Sequence, residues 1–101
     1  MKFGMTEEQF NILEQLVILP LKKQNARVFI FGSRTSSKHH SHSDVDVLFQ
    51  LPENVDLSSG VLSQIRENIE ESRFPFTVDI VNARELAKSY LPSVESSKIE
   101  V

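Results

Sequence analysis

Apolar residues in the first quarter of the chain fall at Phe10, Leu13, Leu16, Val17 and Leu21, the three-and-four spacing that lines one face of a helix. Thr6 followed three residues later by Gln9 is a capping-box pattern, so the spacing predicts a helix over 6–24. Pro20 lies inside it and predicts a kinked last turn or a separate short segment. "RVFIF", 27–31, is β-branched and aromatic and too short for a helix, and it predicts a buried strand ending at Gly32. "DVDVLFQL", 44–51, alternates polar and apolar and then becomes almost wholly apolar, as a strand does when it passes from a site into a core. Pro52 ends it. Leu57, Val61, Ile65 and Ile69 repeat every four residues with Leu62 beside them, which predicts a second amphipathic helix capped by Asp56 or Ser58. "FTVDIVN", 76–82, predicts a third strand, with a short helix over about 83–90 after it. Pro92 is expected to stop the last clear element, leaving "SVESSKIEV" as a polar tail anchored only by Val94, Ile99 and Val101.

Helix, strand, strand, helix, strand, helix is an α/β order: a sheet covered by helices on at least one face. With 101 residues, one compact domain over 1–101 is expected. A content of 40% hydrophobic and 25% charged residues is close to the globular average and indicates neither a disordered nor a fibrous chain. The formal charge of -3 argues against a surface built to coat a long nucleic acid, so any phosphate binding is local. Cysteine is absent, which removes disulfides, thiol catalysis and cysteine-based zinc sites and agrees with a reducing cytoplasm. The N-terminal stretch does not read as a secretory signal, and no run approaches the ~18 apolar residues of a membrane span. A cytoplasmic protein is expected.

The candidate chemistry lies around the first two strands. If 44–49 is extended, Asp44 and Asp46 project to one face while Val45 and Val47 face the other. Two carboxylates held that close repel unless a cation lies between them, and hard oxygen ligands favour magnesium or manganese over zinc. Asp79, flanked by Val78 and Ile80 in the third strand, would be costly there unless its face opened on the same ion. Gly32-Ser33 ends a buried strand where a helical turn starts, a place that leaves backbone N–H groups unpaired and directed at an anion. A phosphate cradle beside a carboxylate pair that holds metal is the equipment for in-line displacement at phosphorus, with a nucleoside triphosphate as ligand. Arg34 is placed either to neutralise phosphate charge or to form a structural ion pair. His39, His40 and His42 crowd the same loop and, with Lys38, read as solvated side chains and not as ligands.

"FGSR", then "SDVDVL" after the interval Gly-Ser, ten residues, Asp-x-Asp, and later "VDIV" resemble the minimal nucleotidyltransferases of the DNA polymerase beta superfamily over nearly the whole chain. That resemblance implies a nucleotidyltransferase-like fold, a small mixed β-sheet flanked by helices. It implies Gly32 and Ser33 as the phosphate-binding pair, Asp44 and Asp46 as metal ligands, and Asp79 as the third carboxylate, which assists deprotonation of the acceptor hydroxyl. Mg2+ or Mn2+ is the implied cofactor and ATP the substrate. The family pattern carries a glycine where this chain has Ser37, so closure of the loop over a nucleotide is expected to differ.

Free-standing domains that this chain resembles act as antitoxins beside a helical HEPN protein. The implied reaction is transfer of AMP from ATP to a tyrosine hydroxyl of that partner, an RNase toxin. The assembly expected is a hetero-oligomer, with a homodimer for the chain alone. Two alternatives stand beside it: a non-catalytic module that masks the partner's active surface, and a small-molecule nucleotidyltransferase.

Overall fold

The computed structural model describes residues 2–36 and 43–101. The first helical segment runs without a break through α1 (Glu7–Leu13), a π-helical turn (Glu14–Ile18) and α2 (Leu19–Lys22). Its start is the expected capping box: Gln9 N–H donates to Thr6 Oγ1 at 3.1 Å and Thr6 N–H to Gln9 Oε1 at 2.9 Å. Pro20 does not split the segment. The turn before it widens instead, with Leu19 N–H reaching back five residues to the Glu14 carbonyl, which makes room for a ring that would press on the preceding turn.

Four strands follow in chain order: β1 (Arg27–Phe31), β2 (Val45–Gln50), β3 (Val78–Asn82) and β4 (Ile99–Glu100). They form one mixed sheet in the order β3-β2-β1-β4, with β2 and β3 parallel and both other pairs antiparallel. Helix α3 (Val61–Glu70) lies between β2 and β3 in the chain, as a crossover between parallel neighbours requires.

Three expectations are corrected. Helix α3 begins at Val61 behind Gly60, which has φ +81° and no side-chain cap, because the two expected caps are engaged elsewhere. Asp56 pairs with Arg84 at 2.9 Å, and Ser58 donates from its hydroxyl and its N–H to Gln24 Oε1. The expected helix over 83–90 is two separate 3-10 turns, Ala83–Glu85 and Lys88–Tyr90. The polar tail is structured: α4 (Leu91–Ser97) carries Pro92 in its first turn, where a missing N–H is harmless, and β4 then pairs with β1.

The sheet separates two unequal cores. On one face Val28, Ile30, Val45, Val47, Phe49 and Ile80 pack with Leu13, Val17, Ile18 and Leu21 of the first helical segment and with Ile65 and Ile69 of α3. On the other, Phe29 and Leu48 are covered by Val94 of α4, with Phe31, Val81, Ala83 and Leu86 at the margin. Alternation along β2 assigns Val45, Val47 and Phe49 to the thick side, so Asp46 falls on the thin side with Leu48.

Candidate active site

Parallel pairing of β2 with β3 puts Asp46 level with Asp79, and antiparallel pairing with β1 puts Phe31 on its other flank. Side chains level with one another on adjacent strands share a face, about 5 Å apart between strands. Two of the three expected acids are therefore neighbours across the sheet. Asp44 comes two residues earlier, exposed, just before β2 begins, and Val45 N–H to Thr77 O at 2.8 Å holds this end of β2 against the approach to β3.

Burial, and then the charges of Asp79 and Asp44, push the Asp46 carboxyl above the ordinary carboxylate range. Asp46 thus sits within electrostatic reach of both other acids. Among the described residues no set of three His, Asp or Glu side chains stands in a preformed metal cage. The donor chemistry nevertheless fits a hard divalent cation: hard carboxylate oxygens whose mutual repulsion such an ion would relieve. Asp44, Asp46 and Asp79 would hold it, with rotation of the two exposed acids, Asp44 and Asp79.

Gly32 follows Phe31 with φ +79° and opens a 3-10 turn, Gly32–Thr35. A Cβ at this position would lie 2.5 Å from Asp46 Oδ2, inside any tolerable contact, so the absence of a side chain is what lets this carboxylate pack on the turn. The expectation of free amides in the turn is corrected for Gly32, whose N–H donates to Ser97 Oγ at 3.1 Å. Thr35 Oγ1 donates to the Gly32 carbonyl at 2.7 Å. Ser33 is exposed at the turn.

Arg34 points inward, with 2% of its surface exposed. Its guanidinium donates twice to the Ser43 carbonyl, at 2.9 and 2.7 Å, and once to the Phe3 carbonyl at 2.9 Å, and stacks 4.1 Å from the centre of the Phe76 ring. Burial lowers its pKa from the usual value, and Asp44 offsets part of that. Holding Ser43 fixes the residue that precedes Asp44, so Arg34 braces one carboxylate from behind. Backbone carbonyls and the Phe76 ring thus hold this guanidinium inside the fold. Ser37, Lys38, His39, His40 and His42 lie outside the described residues.

A family model, Polymerase beta, Nucleotidyltransferase, matches residues 14–100. The chain belongs to this nucleotidyltransferase family. Among solved structures it is similar to a toxin-antitoxin crystallised with AMP-PNP, at 19% identity and a TM-score of 0.64 over 86% of this chain and 70% of that one. It is also similar to a mutant of the toxin-antitoxin MntA-HpeT, at 17% identity and 0.63 over the same shares. A third likeness is to a tri-AMPylated HEPN toxin in complex with MNT antitoxin from Shewanella oneidensis, at 16% identity and 0.60 over 95% and 71%. At these identities the likeness is one of fold. No curated protein matches the chain.

Sequence reading missed two hydroxyls of this nucleotidyltransferase domain, Ser97 and Thr35. Thr35 had a local signal, since a threonine three residues past a turn glycine commonly bonds backward to the backbone. Ser97 had none: it arrives 65 positions later, from an element the sequence did not announce. No helix among the described residues is long and apolar enough to cross a membrane.

Proposed function

We propose that this nucleotidyltransferase transfers AMP from ATP to a tyrosine hydroxyl of a HEPN toxin and so neutralises it. The observation that carries the reading is the level pairing of Asp46 with Asp79, beside the glycine turn that ends β1. The solved relatives point the same way: one toxin-antitoxin holds AMP-PNP, and another HEPN toxin is itself AMPylated.

In this reading Asp44 and Asp46 hold Mg2+, or Mn2+, and Asp79 completes the set. Such an ion would supply positive charge against the phosphate oxygens. The chain's own groups do the rest. Gly32 allows the triphosphate to approach the strand end, and Ser33 supplies an amide and a hydroxyl for phosphate oxygens. Asp79 takes the proton of the acceptor hydroxyl, whose oxygen forms a bond to the α-phosphorus as the bond to pyrophosphate breaks. Arg34 keeps Asp44 in place through Ser43. A domain of this size builds the nucleotide side and takes its acceptor from the partner.

Masking of the partner without transfer is the second reading, favoured by Ser37 standing where the family pattern carries a glycine. One experiment separates the two. The purified chain is incubated with its HEPN partner, ATP and magnesium, and the partner is weighed by mass spectrometry. Transfer predicts added AMP that disappears in Asp44→Asn and Asp46→Asn. Unchanged mass with the toxin still silenced, and protection that survives both substitutions, would establish masking instead.

A further inference from the structure

We propose that Ser97 is a positioning residue of the nucleotide site, holding the glycine turn in register with Asp46 from the far end of the chain. The inference deepens the nucleotide reading above and rests on it. Three observations converge. Ser97 Oγ accepts from Gly32 N–H at 3.1 Å, the one direction a backbone amide allows. Thr35 Oγ1 donates to the carbonyl of the same glycine at 2.7 Å. Asp46 Oδ2 packs where a side chain of Gly32 would stand.

Glycine at positive φ is the residue with the most freedom to swing away from such a conformation. Here both of its backbone polar groups are tied to hydroxyls, one from within the turn and one from α4. Removing that freedom fixes the Gly32 Cα against the Asp46 carboxylate and sets the orientation of the next peptide, which presents Ser33. A nucleotide site gains affinity from such ordering because the turn does not have to be ordered again when the phosphate arrives. Val94, the buried side chain of α4, seats the helix that delivers Ser97. The α4 layer is therefore part of the nucleotide site, though it carries none of the three acids.

The test uses the full chain with Ser97→Ala, Ser97→Thr and Ser97→Cys, the affinity for AMP-PNP with magnesium measured by calorimetry, and the exchange rate of the Gly32 amide measured by NMR. Ser97→Ala should weaken binding roughly 3- to 10-fold, the scale of one hydrogen bond. It should also speed Gly32 exchange, and Ser97→Thr, which keeps the hydroxyl, should restore both. If Ser97→Ala does not fold, Ser97→Cys, a poor acceptor of the same shape, takes its place with the same expectation. Binding of the analogue by the hydroxyl-free variants as tightly as by the wild type, or tighter, overturns the proposal. A wild type that binds no AMP-PNP overturns the nucleotide reading together with it, an outcome recognised because the unmutated chain is then silent.

Discussion

Two glycines share almost one φ, +79° at Gly32 and +81° at Gly60, and differ in what surrounds them. Around Gly60 nothing lies within 4 Å of an added Cβ; at Gly32 the same carbon meets Asp46 Oδ2 at 2.5 Å. Gly60→Ala should therefore lose only the backbone preference, about 1 kcal/mol. Gly32→Ala adds a clash with a charged, partly buried side chain, and is expected to lose about 2–3 kcal/mol. It should also lose AMP transfer entirely in the folded fraction, because Asp46 has to leave its place. Denaturant melts of both variants check the first difference and the partner-mass assay the second. Equal losses of stability would mean that Asp46 swings aside freely and that its packing on the turn is incidental. The glycine turn that ends β1 and the places of Asp46 in β2 and Asp79 in β3 were legible from sequence because each lies in or beside an apolar strand run. The role of Arg34 was not, since nothing in the linear order shows that Phe76, Ser43 and Phe3 gather around it.

Elements were legible where burial imposed a period and illegible where it did not. The first helix, β1, β2, β3 and α3 each place a row of apolar side chains in the thick core, and that row is what a sequence records. Helix α4 buries Val94 alone and is otherwise serine, glutamate and exposed positions, while both residues of β4 are exposed and pair through their backbones. Neither leaves a pattern. The same poverty makes α4 easy to release. Val94→Ala removes two methyl groups from a site 5% exposed and should lower stability by about 1.5–2.5 kcal/mol. Much of that loss should appear as local opening: hydrogen exchange across 91–100 is expected to accelerate more than in β2 or α3, and the Gly32 amide to accelerate with it. Uniform acceleration over the whole sheet would show that α4 unfolds only with the rest of the molecule.

At the scale of the whole molecule the two faces of the sheet divide the work. The thick core on the helical side stabilises the chain, while the thin side holds the Asp46 charge, which burial and then Asp79 and Asp44 disfavour. This asymmetry has a sign in the stability curve. The Asp46 carboxyl is raised in the folded state, so between its ordinary value and the raised one the native protein holds more protons than the unfolded chain. Stability from this group is therefore lost as pH rises through that window, the reverse of the usual salt-bridged aspartate. Asp46→Asn removes a charge that burial and then its acidic neighbours disfavour and, without divalent ions, should stabilise the protein at neutral pH by roughly 0.5–1 kcal/mol, the scale of a partly screened charge. For a chain of this size that is a rise in Tm of about 2–8 °C. Adding magnesium should invert the ranking, because a ligand that binds only the folded state stabilises it by mass action and the asparagine variant has lost a ligand for the ion. Thermal melts of both proteins across pH 4–8, with and without magnesium, test this. If Asp46→Asn melts lower than the wild type in the metal-free protein, or if magnesium shifts both alike, the acids do not act as one electrostatic unit and the shared cation they imply is lost with them.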